Sequence, residues 1–104
     1  MALDYLVENG FEIVERNYRC KIGEIDIIAL KDNIIRFIEV KYRSSSDFGY
    51  ALQAVSKTKQ AKIIRVAQWF MKEHNMNEDI QCSFDVIAIQ GNNVDYIFNS
   101  YGAM

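Results

Sequence analysis

A chain of 104 residues, half of them hydrophobic and a quarter charged, has the size and composition of one domain with a single core. Its net charge of −2 and pI near 5.3 exclude a global positive field, so any contact with nucleic acid must use a local basic patch. Cys20 and Cys82 belong to no CxxC or Cys/His cluster, which argues against zinc and for reduced thiols in a cytoplasmic protein, while "MALDYLVENG" lacks a secretory signal's features and no segment has the ~20 apolar residues of a membrane span.

Taken in chain order, Ala2–Asn9 reads as the end of a helix, with Leu3, Leu6 and Val7 on one side and Gly10 as its stop. Phe11–Cys20 has strand character. Glu24–Leu30 and Ile34–Lys41 are predicted strands separated by Lys31-Asp32-Asn33, and Ser44–Asp47 with Gly49 mark a loop. Ser56 is expected to cap a helix running to about His74, with Ile63, Val66, Ala67, Phe70 and Met71 as its apolar stripe. Gln81–Gln90 reads as a fourth strand and, beyond the "GNN" turn, Val94–Phe98 as a short edge strand. The order α-β-β-β-α-β-β permits a mixed sheet with a helix on each face.

The stretch from Gly23 to Arg43, "GEIDIIALKDNIIRFIEVKYR", carries charges where an interior sheet should have none. Both of its strands are largely apolar on both faces, the pattern of strands covered on each side. A two-residue Asp32-Asn33 turn pairs Lys31 with Ile34, Leu30 with Ile35 and Ile28 with Phe37. The same register sets Asp26 opposite Glu39 and Glu24 opposite Lys41. Carboxylates opposed across roughly 4.5–5.5 Å repel, and burial worsens the repulsion. A divalent cation would offset it, and oxygen-only ligands point to Mg²⁺ or Mn²⁺. Lys41, two residues from Glu39 on the same face, is placed to hold a water or a phosphate oxygen. The spacing fits equally well a surface hairpin end with a Glu24–Lys41 ion pair and a solvated Asp26. A three-residue turn would send Asp26 and Glu39 to opposite faces, and the metal site would fail.

At these residues the sequence resembles the YraN-like family of small bacterial proteins, within the PD-(D/E)xK, or restriction-endonuclease-like, nuclease superfamily. The likeness spans nearly the whole chain, through "ERNYR", "GEIDIIA", "FIEVKYR", "FGYALQAV", "KQAKIIRVAQWF" and "FDVIAI" in the family's order. It implies an α/β fold with a restriction-endonuclease-like αβββαβ core: a mixed central β-sheet flanked by helices, here with an extra C-terminal edge strand, as one nuclease domain over residues 1–104. It also implies catalytic roles for Asp26, Glu39, Lys41 and Gln60, the last a polar residue on the following helix. Mg²⁺ or Mn²⁺ would be held by Asp26, Glu39 and the carbonyl of Val40. The implied activity is metal-dependent hydrolysis of phosphodiester bonds in nucleic acid, DNA before RNA. The alternative is a weak or inactive nucleic-acid-binding module of a DNA-processing complex. Family members usually begin with a longer helix holding a Gly-Glu pair upstream of "AxxYL"; "MALDYL" opens this sequence without it, and Glu24 is the candidate substitute.

Arg16, Arg19 and Lys21 before Gly23, with Tyr42 and Arg43 after Lys41, suit backbone phosphates, and suit a solvated basic face as well. His74 is placed to complement a helix dipole. Trp69 is expected to pack in the core, and Lys57, Lys59 and Lys62 to form a solvated helix face. Tyr96 and Tyr101 read as edge packing or, if the last strand is exposed, as a homodimer contact.

Overall fold

The computed structural model describes residues 1–42, 56–77, 79–99 and 101. Helix α1 (Ala2–Glu8) precedes strands β1 (Glu12–Arg19), β2 (Glu24–Lys31) and β3 (Ile34–Tyr42). Helix α2 (Lys57–Glu73), β4 (Gln81–Gln90) and β5 (Asn93–Ile97) follow. Each element lies where the sequence places it, with its ends within a residue of the expectation. Arg43, the Ser44–Asp47 loop and the "FGYALQAV" segment fall outside the described residues.

The strands form one mixed sheet in the order β1-β2-β3-β4-β5. Neighbours are antiparallel except β3 and β4, which are parallel. The β2–β3 turn has two residues, Asp32 at φ 55° and Asn33 at φ 63°, and pairs Lys31 with Ile34 as predicted. Both residues are left-handed, as a tight hairpin matching the strand twist requires. A second two-residue turn joins Gln90 to Asn93, with Gly91 at φ 58°.

The parallel β3–β4 pairing needs a crossover, and α2 covers one face of the sheet in making it. Its stripe of Ile63, Val66, Ala67 and Phe70 packs on Ile28, Phe37, Phe84 and Val86. On the other face, Ala2 and Leu6 of α1 cover Ile27, Ala29, Ile38, Ile87 and Ile89. Strand β3 therefore sends Ile35 and Phe37 to one core and Ile38 to the other, which explains its apolar residues on both faces. Trp69 departs from expectation: it lies beside the stripe and is half-exposed. Among the described residues no helix is long and apolar enough to cross a membrane.

A polar core ties β3, β4 and β5 together. Asp85 is fully buried and accepts hydrogen bonds from Ser83 Oγ (3.1 Å), from the Tyr96 hydroxyl and from the Asn99 N–H (2.8 Å). Arg36, also buried, places Nη1 4.0 Å from the same carboxylate and donates from Nη2 to the Lys31 carbonyl, with the Phe98 ring over its guanidinium. Tyr101 is buried and stacked on Phe84, so both C-terminal tyrosines pack within the chain. Cys20 and Cys82 are unpaired and half-buried.

Candidate active site at the strand fork

Strands β2 and β3 keep their register from the turn as far as Ile27 and Ile38, then part. The expected pairings of Asp26 with Glu39 and of Glu24 with Lys41 are therefore not rungs of the sheet. The next rung would join Ile25 to Val40, but a side chain replaces it: the Val40 N–H donates to Asp26 Oδ2 at 2.9 Å. Residues of a hydrogen-bonded antiparallel pair direct N–H and C=O to the same neighbour. Val40 is itself extended, where one residue's N–H and C=O point to the same side, so its carbonyl is turned toward the gap between the strands as well. Ile25 and Ile28, three residues apart, both reach the core under α2. Strict alternation would send them to opposite faces, so β2 is irregular at Asp26.

Glu24 and Lys41 each find other partners. Arg19 Nε donates to Glu24 Oε2 at 2.7 Å across the β1–β2 pair, which removes the surface Glu24–Lys41 ion pair that spacing allowed. Lys41 Nζ instead lies 3.7 Å from Glu39 Oε1. Glu39 is only 8% exposed and faces α2, in step with Ile35 and Phe37. Its Oε1 accepts a hydrogen bond from Lys59 Nζ at 2.6 Å.

The start of α2 explains how Lys59 arrives there. Ser56 caps the helix by accepting the Lys59 N–H at 3.2 Å, so Lys59 begins from a backbone held by that cap. The Gln60 N–H donates to the Ser56 carbonyl at 2.8 Å, and Gln60 is half-buried beside it. Lys59 corrects the expectation of a wholly solvated lysine face. The residue types gave one hint: the first turn of α2 holds no acidic residue to meet the positive end of the helix.

Electrostatics join these groups into one cluster. Burial pushes the Asp26 carboxyl above its usual value, the Val40 N–H opposes this, and Glu39 and Glu24 push it further up. Burial, followed by the charge of Lys59, lowers Lys41. The hydrogen bond to Glu39 raises Lys59. Two acids and two lysines thus meet at the fork, Asp26 reached from the α1 side and Glu39 from the α2 side. Among the described residues no group of three or more His, Cys, Asp or Glu side chains could hold a metal ion.

A cleft of about 390 Å³ opens beside Asp26, lined by Arg16, Asn17, Val40 and Tyr42 and by the first residues of α1. Arg16 and Tyr42 are thus near the fork. Arg19 and Lys21 instead line a separate cavity of about 510 Å³ with Trp69, and Arg19 is paired with Glu24. The donors at the fork are all oxygen: two carboxylates and the Val40 carbonyl. That chemistry suits Mg²⁺ or Mn²⁺, with waters or substrate oxygens filling the remaining positions. An ionised carboxylate offers about four acceptor positions, so the bonds from Val40 and Lys59 leave capacity on both acids.

The family described as "Uncharacterised protein family UPF0102" matches residues 1–89, a span that includes every side chain at the fork. A UPF0102 protein of Shewanella loihica is 46% identical over 100 residues, covering 96% of this chain and 86% of the relative. One from Clostridioides difficile is 43% identical over 103 residues, covering 97% and 90%. One from Lachnoclostridium phytofermentans is 36% identical over 102 residues, covering 98% and 86%.

Proposed function

The chain belongs to the UPF0102 family, the YraN-like group its motifs resemble, and from that premise we propose that it hydrolyses phosphodiester bonds in nucleic acid, DNA before RNA, with a divalent metal ion. The reading takes the mixed sheet and its two helices as a restriction-endonuclease-like core. The observation that carries it is the fork itself, where the β2–β3 register ends at Ile27 and Ile38 and the Asp26 carboxylate takes the Val40 N–H in place of main chain. Asp26, Glu39 and the Val40 carbonyl would hold Mg²⁺ or Mn²⁺. When bound, the ion would polarise the scissile phosphate and lower the pKa of a water.

The chain's own groups do the rest. Lys41, half-buried and 3.7 Å from Glu39, donates to a phosphate oxygen or orients the attacking water. Arg16 and Tyr42 line the cleft beside Asp26 and hold the sugar-phosphate backbone without reading bases. Gln60 stands on the first turn of α2, one residue from Lys59, as a polar neighbour of the site.

A second reading, a nucleic-acid-binding module without turnover, is favoured by two observations. The Lys59 ammonium already meets Glu39, and no third acid joins the pair among the described residues. Single replacement of Asp26, Glu39 and Lys41 by alanine separates the two. On branched, single-stranded and duplex substrates with Mg²⁺ or Mn²⁺, the nuclease reading expects each variant to lose about 100-fold or more in cleavage while retaining binding. Purified wild-type protein that cleaves none of these substrates leaves only the binding module.

A further inference from the structure

The shortest ion pair at the fork belongs to a lysine with no role in the scheme above. Lys59 Nζ lies 2.6 Å from Glu39 Oε1, against 3.7 Å for Lys41 on the same oxygen. The partner is buried, and a buried carboxylate without a cation is strongly disfavoured. The lysine stands in the first turn of α2, where the helix dipole opposes a cation; pairing with Glu39 offsets that opposition. The two ends of the pair also differ in freedom. The Lys59 side chain is 43% exposed and able to swing into solvent, whereas the Glu39 side chain, at 9%, is held in place.

We propose that Lys59 is the resident counter-ion of Glu39 in the metal-free protein, and that a divalent cation binding at the fork displaces its ammonium, releasing it to a phosphate oxygen of the nucleic acid. The proposal rests on the metal-dependent reading above. An ammonium and a divalent ion compete for Glu39, so each weakens the other's hold. A phosphate that draws Lys59 away removes this competition, so nucleic acid and metal favour each other's binding, and by linkage the effect is reciprocal. Lys59 is then a positioning residue: it holds the Glu39 side chain in place until substrate and metal arrive together.

Calorimetric titration with Mn²⁺ alone tests this without any turnover. Lys59→Gln, which removes the charge from a half-exposed side chain, is expected to bind Mn²⁺ about tenfold more tightly than wild type, the scale of one charged hydrogen bond at a partly screened site. Lys59→Met should do the same, and Lys59→Arg should keep wild-type affinity. Without metal, the Gln and Met variants should melt below wild type, and Mn²⁺ should restore them. If wild type and Lys59→Gln bind Mn²⁺ equally, or the variant binds it less tightly, the displacement idea is overturned and the metal site stands. If neither gives heat that depends on Asp26 and Glu39, both fall.

Discussion

Asp85→Ala removes the acceptor at the centre of the polar core between β3, β4 and β5. The Tyr96 hydroxyl and the Asn99 N–H lose their partner, and Arg36, only 6% exposed, loses the fully buried carboxylate beside it. Breaking one side of a buried ion pair costs about 3–5 kcal/mol, and the 4.0 Å Arg36–Asp85 separation places this pair at the low end. That cost already includes the hydrogen bonds the carboxylate accepted, so the expected loss is about 3–4 kcal/mol. For a domain of this size that is a fall in Tm of roughly 15–30 °C. Urea unfolding followed by circular dichroism measures it directly. Ser83→Ala, which removes one of the donors to this carboxylate, should cost less, about 1.5–2 kcal/mol. Replacing both charges with apolar residues, Arg36→Met with Asp85→Leu, should recover much of the loss, because neither buried charge then lacks its partner. An Asp85→Ala protein within about 1 kcal/mol of wild type would refute the idea that this carboxylate organises the core.

Arg16→Ala should weaken nucleic-acid binding by a similar factor for every sequence and reduce the slope of log affinity against log salt by about 1, measured by fluorescence anisotropy at several salt concentrations. Ser56→Ala removes the α2 cap and should cost about 1 kcal/mol in urea unfolding. Stability should fall as the pH rises above about 10, where tyrosines of the unfolded chain ionise. Burial, reinforced by hydrogen bonds to Glu73 and Asp85, keeps Tyr18 and Tyr96 protonated well above that point in the folded protein. The native state therefore holds protons that the unfolded state has released. Phenolate absorbance from these two residues should rise only together with loss of the circular dichroism signal.

Local chemistry made most of the fold legible in the sequence. Asp32 and Asn33 fixed a two-residue turn, and the turn fixed the register of Lys31, Leu30 and Ile28 against β3. Ser56 announced α2, and the 3-4 spacing of Ile63, Val66, Ala67 and Phe70 named its buried side. Extrapolating that register to the far end of the hairpin failed at Asp26. Pairing rules assume that main chain bonds to main chain, and there a carboxylate took the Val40 N–H instead. Lys59 was missed because a helix lysine is usually solvated, and only its first-turn position marked it as unusual. Arg36 and Asp85 stand inside apolar runs of the sequence, but their partnership depends on two strands distant in sequence lying side by side, which no local pattern shows. Trp69 precedes Phe70 and so turns about 100° away from the buried stripe, a rotation that grouping it with its aromatic neighbour overlooked.

The sheet mixes two kinds of pairing, and this has a consequence for how the chain assembles. Strands β1, β2 and β3 meet through short antiparallel turns, whereas β4 joins β3 in parallel only after the whole crossover has been traversed. Closing the longer loop carries the greater entropic penalty and the slower rate. A chain emerging from the ribosome as far as Tyr42 already contains every strand of the fork, while the helix that brings Lys59 to Glu39 must be synthesised afterwards.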